Sequence, residues 1–235
     1  MDFDNLLTAL DWEFEHEPMR ACDLVYALSY YMDLRQSYST RRGLLERALA
    51  AAVAVNDQGR QSTILRRLGI SSRLINEYEE ARRQLERAAE LANAAGDRMR
   101  ETGALLDLGE VSRMMSKYEA AQEQLQRAAE LYRALRSRAG EADVLHKLGQ
   151  VSYMLSEYEA AQMHYQRVVE LSHEAGSRLI EAHTLRGLGD VSRVLGEYEA
   201  AHHQYQHALE LYRQIQERLG QMNELVGLSR LEKAV

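Results

Sequence analysis

The chain has 235 residues, of which 46% are hydrophobic, and its single proline favours a long helical array over a loop-rich fold. One cysteine excludes an internal disulfide framework and a CxxC metal knuckle and favours a reducing compartment, so a cytoplasmic protein is expected. The formal net charge of −7 disfavours a general nucleic-acid binder, and no apolar run approaches the roughly 18 residues that a membrane span requires.

The predicted elements follow one pattern that recurs at a constant spacing along the chain. Each clear copy has a Leu-Gly pair, a tyrosine and an alanine at fixed positions, and the leucines of successive pairs are Leu68, Leu108, Leu148 and Leu188. A repeat of this kind indicates stacked units that bury a core between neighbours. We expect one repeat domain over 1–235, beginning with a lead-in helix. Its predicted parts are 1–17 for the lead-in helix, 18–57 for a degenerate first repeat, 58–97, 98–137, 138–177 and 178–217 for four clear repeats, and 218–235 for a C-terminal cap.

Each repeat is predicted to contain two helices, A and B. In helix A, Leu105, Leu108 and Val111 recur at three-residue steps and define one buried face. In helix B, Ala121 and Leu125 do the same at a four-residue step. The glycine of the Leu-Gly pair lies inside helix A, where it costs about 1 kcal/mol relative to alanine. Its recurrence therefore predicts that the two helices pack closely.

Polar residues are predicted to begin both helices of each repeat. Helix A follows a residue whose side chain accepts hydrogen bonds from first-turn amides. These predicted N-caps are Asp57, Asp97, Ser137 and Ser177. Helix B is predicted to follow an N-cap three residues before a glutamate, which is a capping box. The predicted pairs are Asn76 with Glu79, Ser116 with Glu119, Ser156 with Glu159 and Gly196 with Glu199.

The pattern L-x-x-L-G-x-x-S … A-x-x-x-L/Y-x-x-A resembles the tetratricopeptide repeat. The residues that carry it in one copy are Leu105, Leu108, Gly109, Ser112, Ala121, Leu125 and Ala128. The usual period of that family is about 34 residues. The longer period here, the leucine in place of an aromatic at Leu105 and the missing late proline fit helices extended by extra turns. The resemblance implies an all-α, right-handed superhelical solenoid of about five helix hairpins with an N-terminal helix and a C-terminal capping helix.

A second resemblance concerns residues 4–50, which begin DNLLTALDWEFEHE. This segment is similar to the junction that leads into the repeats of bacterial NB-ARC/STAND ATPases, some of which are transcription regulators. In those proteins the repeats act as a sensor or autoinhibitory module. No G-x-x-x-x-G-K-[ST] motif occurs in this chain, so any nucleotide switch lies outside it.

The candidate binding surface is the stripe of helix A opposite its apolar face, which in the tetratricopeptide family lines a concave groove. One position of this stripe is polar and varies from repeat to repeat, which indicates recognition. The predicted ligand-binding residues are Tyr26, Tyr30, Asp33, Arg66, Arg67, Ile70, Arg73, Asp107, Glu110, Arg113, His146, Lys147, Gln150, Tyr153, His183, Arg186, Asp190 and Arg193.

Helix A of the second repeat is unusually basic. It carries Arg60, Arg66, Arg67 and Arg73, and no acidic residue lies between positions 58 and 75. Because arginine binds carboxylates and phosphates bidentately, we expect Arg66, Arg67 and Arg73 to face acidic groups of a ligand. The alternative for the stripe as a whole is solvated ion pairing. The pairs available for it are Glu110 with Arg113, Asp190 with Arg193, Arg186 with Asp190 and Asp33 with Arg73.

Catalytic and metal-binding groups are not predicted, and no cofactor is expected. His203 and His207 have i,i+4 spacing, but the sequence positions no third ligand, so they are predicted to lie on an exposed polar face. Cys22 lies between apolar residues and is predicted to be a small buried side chain. The sequence shows no phosphate loop and no acid/base pair, so the chain is predicted not to be an enzyme.

These features predict a non-catalytic protein–protein interaction module that binds a peptide or protein segment in the concave groove, as the sensor domain of a STAND-type signalling protein would. A receptor for nucleic acid or a small anionic ligand, acting through the arginine-rich part of the groove, is the alternative. Net negative charge and the absence of stacking aromatics disfavour nucleic acid. The sequence leaves the identity of the ligand and the oligomeric state open.

Overall fold

The computed structural model describes residues 3–34 and 38–217 and, nearer the C-terminus, residues 220, 222, 224, 225, 227 and 228; the side chains of residues 3, 4 and 30–34 lie outside this description. Within this part every regular element is a helix, so the predicted all-α repeat fold is confirmed. The helices are α1 (Phe3–His16), α2 (Pro18–Leu34), α3 (Tyr38–Ala54), α4 (Gln58–Leu74), α5 (Tyr78–Ala94), α6 (Arg98–Met114), α7 (Tyr118–Ala134), α8 (Arg138–Met154), α9 (Tyr158–Glu174), α10 (Arg178–Val194) and α11 (Tyr198–Gln214).

The helices from α2 onward have equal lengths of 17 residues. The connections between them are equally short and uniform. Even-numbered helices are therefore the A helices of the repeats, and odd-numbered ones from α3 onward are the B helices. None of the helices in the described part is long and apolar enough to cross a membrane.

The chain forms two compact units, residues 1–115 and residues 116–235. In the first unit, α1 packs on α2, and each later helix packs on the one before it. The A helices α2, α4 and α6 also touch in succession. In the second unit, α7 to α11 pack in chain order, and the A helices α8 and α10 touch.

The predicted N-caps of the A helices are confirmed at three of four positions. Asp57 and Asp97 accept hydrogen bonds from the backbone N–H groups of Arg60 and Arg100, at 2.9 and 3.0 Å. Ser137 accepts one from the N–H of Gly140 at 3.3 Å. Ser177 occupies the same position before α10, but its side chain makes no capping bond.

The predicted capping boxes of the B helices are wrong. The N-cap positions are Glu77, Lys117, Glu157 and Glu197, and none of these side chains forms a capping bond. The residues predicted as caps instead have positive φ and end the preceding A helix. These residues are Asn76 at 63°, Ser116 at 58°, Ser156 at 62° and Gly196 at 79°. A reversal this tight needs one left-handed residue, and short polar side chains tolerate that conformation as well as they cap helices.

The recurrent glycine of helix A makes room for a side chain of helix B. A Cβ on Gly149 would lie 2.5 Å from Cε1 of Tyr165, and one on Gly189 would lie 2.6 Å from Cε1 of Tyr205. In the first unit, Gly69 accommodates Leu85 in the same way. The predicted close packing is therefore real, although the nearest atoms belong to a helix B side chain more than to its backbone.

Each unit has its own buried clusters. In the first unit, Leu10 of α1 joins Val25, Leu45 and Leu68 in a cluster that also buries Cys22, as predicted. In the second unit the clusters are built around aromatic side chains. These are the buried tyrosines Tyr165, Tyr205 and Tyr212. A buried tyrosine hydroxyl needs a polar partner, so Tyr205 and Tyr212 of this core form hydrogen bonds with polar residues of the A helices.

Candidate ligand-binding groove of the first unit

The A helices of the first unit form an open cavity of about 780 Å³, which we call the N-terminal groove. Charged side chains dominate its lining, with four arginines and three aspartates. The lining residues are Cys22, Asp23, Tyr26, Asp57, Gly59, Arg60, Ser62, Thr63, Ile64, Arg66, Arg67, Asp97, Met99 and Arg100. Of the predicted site residues, the structure brings Tyr26, Arg66 and Arg67 together here.

Arg60 lies between two carboxylates at one end of the groove. Its Nε and Nη2 atoms donate to the two oxygens of Asp23 at 3.1 and 3.0 Å. Its Nη1 atom donates to Asp57 at 2.7 Å. These bonds and the two negative charges raise the pKa of Arg60, so the guanidinium is permanently charged. Asp57 has a lowered pKa, chiefly because it accepts the N–H bond of Arg60.

Arg100 repeats the arrangement of Arg60 one repeat later, with a different partner. It pairs with its own N-cap, Asp97. Its Nε atom donates to the hydroxyl of Thr63 at 3.0 Å. The pKa of Asp97 is lowered, first by the backbone N–H of Arg100 and further by the charge of that residue.

Arg66 lies flat on the neighbouring helix α6. Its Nε atom donates to Asp107 at 2.6 Å. A Cβ on Gly103 would lie 3.0 Å from the guanidinium carbon of Arg66, so the absence of a side chain at this position allows the close approach. Two predicted site residues, Arg66 and Asp107, therefore bind each other across neighbouring repeats.

Arg67 contacts an aromatic ring instead of a carboxylate. Its guanidinium carbon lies 4.8 Å from the ring centre of Tyr26, whose side chain is 43% exposed. Among the described side chains, no carboxylate lies within ion-pair distance of Arg67. Burial, and then the charge of Arg67, lowers the pKa of Arg41. Arg67 therefore contributes positive potential that its described surroundings do not neutralise.

The remaining predicted residues of the first unit lie outside the groove lining. Glu110 and Arg113 form the predicted pair, with two hydrogen bonds at 2.7 and 3.0 Å. Ile70 and Arg73 are half-buried, and no carboxylate of the described part pairs with Arg73. The side chains of Tyr30 and Asp33 lie outside the described residues, so the predicted pair of Asp33 and Arg73 stays a prediction.

In the second unit, the predicted site residues mostly bind one another or the core. The Nδ1 atom of His146 lies 3.1 Å from the hydroxyl of Thr184, which itself donates to the carbonyl of Ile180. The Nε2 atom lies 3.1 Å from the amide nitrogen of Gln150. Nδ1 must therefore donate and Nε2 must accept, which is the pattern of a neutral imidazole. Burial, followed by the charge of Lys147, lowers the pKa of His146 to about 4.

Two other polar residues of this stripe bind core tyrosines. His183 lies 2.7 Å from the hydroxyl of Tyr212, and burial lowers the pKa of this histidine. Asp190 accepts a 2.8 Å hydrogen bond from Tyr205. Burial is the largest single effect on Arg193 and lowers its pKa, but the hydrogen bond with Tyr205 and the nearby charges, including that of Asp190, together outweigh burial and raise the pKa.

The last predicted residues of the second unit are Tyr153, Lys147 and Arg186. Tyr153 packs edge-on against the ring of Tyr158, with centroids 5.7 Å apart, and Lys147 is half-buried. The Nε atom of Arg186 lies 3.8 Å from the carboxylate of Glu224, which is beyond hydrogen-bond distance. Glu224 is fully buried, its oxygens have no hydrogen-bond partner in the described part, and burial raises its pKa to about 8.

Sequence reasoning missed the residues that complete the N-terminal groove. Asp23, Thr63, Met99 and Arg100 line it and were not predicted. The signal that could have found them is their register, because Asp23 and Thr63 share one repeat position and Arg60 and Arg100 share another. The absence of acidic residues between positions 58 and 75 did not reveal the ion pairs of α4, since the acids that pair with Arg60 and Arg66 come from other helices and from the N-cap of α4.

Metal binding has no support from side-chain geometry in the described residues. No three His, Cys, Asp or Glu side chains of that part come together as a metal site requires.

Comparisons with known proteins agree with the repeat architecture. The family model described as tetratricopeptide repeat matches residues 100–174 and 140–214. No curated protein has a sequence that matches this chain significantly.

Solved structures with the same fold have low sequence identity to this chain. BtubC from P. vanneervenii has a TM-score of 0.81 at 18% identity, covering 89% of this chain and 88% of its own. The apo form of RapI has a TM-score of 0.83 at 13% identity, covering 98% of this chain and 66% of its own. The Rap conjugation gene regulator of plasmid pLS20, in complex with the Phr* peptide, has a TM-score of 0.68 at 14% identity and coverages of 95% and 62%. This chain thus spans less than two thirds of the two Rap chains.

Proposed function

Because this chain carries tetratricopeptide repeats, which the family model matches over residues 100–174 and 140–214, we propose that it is a non-catalytic interaction module. Its ligand is a peptide or protein segment bound in the N-terminal groove. The observation that carries this proposal is the open 780 Å³ cavity with four arginines in its wall. In the second unit the corresponding polar residues bind tyrosines, Thr184 and one another, so we assign the ligand to the first unit.

The groove chemistry suits binding more than catalysis. Its lining includes no histidine, and its thiol, Cys22, is buried with a raised pKa. Asp57 and Asp97 have lowered pKa values and hold backbone N–H groups, so neither is poised to exchange protons near neutral pH. Arginine and an exposed tyrosine are instead the residue types that anchor protein interfaces. The peptide complex of the Rap regulator, which shares the fold, is consistent with this use.

Peptide display on the full chain, followed by fluorescence anisotropy of the selected peptides, tests the proposal. Arg67→Ala removes the guanidinium that lies over Tyr26, and we expect it to weaken binding by about tenfold or more, because charge-assisted contacts of arginine are among the stronger ones at interfaces. Arg87→Ala is the matched control, since this arginine of α5 is exposed, pairs with Glu90 and lies outside the groove lining.

Failure to select any peptide, or equal effects of the two substitutions, would reject the groove as the binding site. The same protein is tested against a single-stranded oligonucleotide at low and high salt. Strongly salt-dependent retention would favour the alternative of a nucleic-acid receptor. Because aspartates already pair with Arg60, Arg66 and Arg100, we expect no such retention.

We further propose that the module serves as a sensor domain in a STAND-type signalling protein. The support is the similarity of residues 4–50 to the segment that leads into the repeats of such proteins. In that setting, ligand binding would be coupled to a nucleotide switch supplied by another domain. The expected finding is a phosphate-binding loop encoded in frame with this chain; its absence from the gene would contradict the role.

A further inference from the structure

Consecutive repeats place an arginine at the same position but give it different partners. Arg60 and Arg100 occupy equivalent positions of two neighbouring repeats, and each pairs with the N-cap aspartate of its own helix. Each also reaches back to the preceding A helix. Arg60 finds the carboxylate of Asp23 there, whereas Arg100 finds the hydroxyl of Thr63. Asp23 and Thr63 occupy equivalent repeat positions. The pairing of Asp23 with Arg60 therefore shows that a carboxylate can bind at the equivalent place beside Arg100.

Because of this difference, one edge of the Arg100 guanidinium makes fewer hydrogen bonds than the same edge of Arg60. In Arg60, the edge formed by Nε and Nη2 donates two hydrogen bonds to the two oxygens of Asp23. In Arg100, the Nε atom of this edge donates to Thr63, and Nη2 has no acceptor among the described residues. The Thr63 hydroxyl already donates to the carbonyl of Gly59 at 3.0 Å, so it acts only as an acceptor for Arg100.

We propose that the place which the Asp23 carboxylate fills beside Arg60 is, beside Arg100, the binding site for a carboxylate of the ligand. The proposal rests on the proposed function and specifies it, because the ligand is then a peptide that presents an aspartate or glutamate side chain to Arg100. The ligand carboxylate accepts from Nη2 of Arg100. It thereby gives this arginine the second negative partner that Arg60 already has.

The charge distribution of the groove supports this assignment. Arg60 has two carboxylate partners, Arg100 has one, and Arg67 has none among the described residues. Both arginines with missing carboxylates line the same cavity. A carboxylate placed at Arg100 therefore accepts from a guanidinium N–H that has no acceptor among the described residues, and charge-assisted hydrogen bonds are the stronger class in proteins.

Two residues next to Arg100 indicate which side chain of the ligand should flank its acidic residue. A Cβ on Gly59 would lie 3.6 Å from Nη1 of Arg100, so the guanidinium rests against the first turn of α4. Met99 lines the cavity and is 58% exposed, which offers an apolar contact next to the charged one. We expect an acidic residue of the ligand to be flanked by an apolar one.

The same surroundings favour a carboxylate over a phosphate. Asp97 pairs with Arg100, and the charge of Arg100 also acts on Asp57. A doubly charged phosphate placed here would be repelled by both aspartates, whereas a single negative charge is repelled less. The subsite therefore selects acidic side chains over phosphorylated ones.

The test follows the arginine Nε–H signals of the full chain by NMR during titration with N-acetyl-aspartate amide. N-acetyl-asparagine amide is the matched neutral probe, and inorganic phosphate is the competing anion. We expect a saturable shift of the Arg100 signal with the aspartate probe and none with the asparagine probe. Arg100→Gln should abolish the saturable binding.

Thr63→Asp is the decisive variant, because it supplies the carboxylate that Asp23 supplies to Arg60. We expect it to fold as the wild type does and to weaken binding of the aspartate probe by about tenfold or more, through competition for Arg100. Thr63→Asn introduces a side chain of nearly the same shape as the aspartate but without its charge. This variant should bind the aspartate probe with an affinity within about threefold of the wild type. A circular-dichroism melt of both variants verifies folding.

Equal binding by the Thr63→Asp variant and the wild type would overturn the proposal, as would tighter binding of phosphate than of the aspartate probe. Failure of the aspartate probe alone, while display-selected peptides still bind in an Arg67-dependent way, would reject the carboxylate subsite and leave the interaction module standing. Failure of the probe and of all selected peptides would reject both.

Discussion

At the residue scale, the missing Cβ of a glycine allows the two helices of one repeat to pack closely. Gly149 and Gly189 each lie against the ring of a buried tyrosine in the helix that follows. Glycine has a low helix propensity, but a larger side chain at these positions would collide with the tyrosine ring. Gly43 of α3 provides the contrast, since a Cβ built there meets nothing within 4 Å.

Gly149→Ala is therefore expected to destabilise the protein by about 1 to 2 kcal/mol. Overpacking against Tyr165 costs about 1 to 3 kcal/mol, and the better helix propensity of alanine offsets up to about 1 kcal/mol of this. Gly43→Ala is the control and should stabilise by about 0.5 to 1 kcal/mol, because it gains propensity without a collision. Urea unfolding of the three proteins measures the difference; equal signs for the two variants would contradict the packing role.

The neutral His146 predicts a loss of stability in acid. Its pKa is about 4 in the folded protein and about 6.5 in an unfolded chain, so the unfolded state binds the proton more readily. The contribution of the neutral His146 to the free energy of unfolding is fully present above pH 6.5. It is lost as the pH falls toward 4, which lowers the free energy of unfolding by about 2 to 3 kcal/mol. We expect the His146→Gln variant to lose correspondingly less stability than the wild type between pH 7 and pH 4, as measured by urea unfolding at fixed salt. Parallel losses in both proteins would refute a buried neutral imidazole.

Glu224 predicts the opposite dependence on pH. Its pKa of about 8 lies above the value of about 4.3 for an unfolded glutamate, so its contribution to stability is fully present below about pH 4.3 and is lost as the pH rises from there through 8. Glu224→Gln keeps the shape and cannot ionise. The variant should gain about 2 kcal/mol relative to the wild type between pH 6 and pH 9. Chemical unfolding at the two pH values tests this, and a difference that does not change with pH would contradict it.

At the scale of the element, each short connection from the end of α3 onward contains one left-handed residue. Ser156 and Arg136 have φ of 62° and 54°, while Gly96 and Gly176 serve the same purpose with φ of 69° and 66°. A side chain in this conformation costs about 1 kcal/mol, which glycine avoids. Since the glycines have open space around them, the cost belongs to the backbone alone.

We therefore expect Ser156→Gly and Arg136→Gly each to stabilise the protein by about 0.5 to 1 kcal/mol, after allowing for the greater entropy of an unfolded glycine. Gly176→Ala is the reverse control and should destabilise by a similar amount. Thermal unfolding measures all three. Destabilisation by both substitutions to glycine would show that the native side chains contribute contacts that outweigh the strain.

The elements themselves were largely predictable from sequence, because the apolar period and the N-caps of the A helices are local signals. Asp57 and Asp97 cap their helices through an amide in the first turn. The start of helix B was misplaced because Ser156 suits both a cap and a left-handed turn, and only the length of the connection separates the two uses.

The candidate site was less predictable, because its contacts join residues far apart in sequence. Arg60 reaches Asp23, and His146 reaches Thr184, each in a neighbouring repeat. A stripe on a helix indicates which residues face one side, but it does not show which of them bind a neighbouring repeat. Arg66 thus lines the groove, while its pairing with Asp107 could be identified only from the structure.

At the scale of the whole molecule, stability is local. In the described part, helices contact others that are adjacent in sequence or one helix further along. Such arrays behave as a sum of repeat and interface terms, and their unfolding departs from a two-state transition when the interfaces are weak. The two compact units, residues 1–115 and 116–235, provide natural limits for such partial unfolding.

Hydrogen exchange combined with a local substitution tests this behaviour. Gly149→Ala should reduce amide protection in α8 and α9 of the second unit and leave protection in α2 and α3 of the first unit nearly unchanged. The wild type under the same conditions is the reference. An equal loss of protection throughout would show that the chain unfolds as one cooperative body.

The uniform length of the helices affects how such a gene can change. Since every helix from α2 onward and every connection after it occupies the same place in each copy, recombination between equivalent codons of two copies adds or deletes a whole hairpin without disturbing any cap or turn. The number of hairpins can therefore vary among descendants while each retained junction keeps its chemistry. A groove defined by two or three adjacent copies would survive an insertion elsewhere in the array.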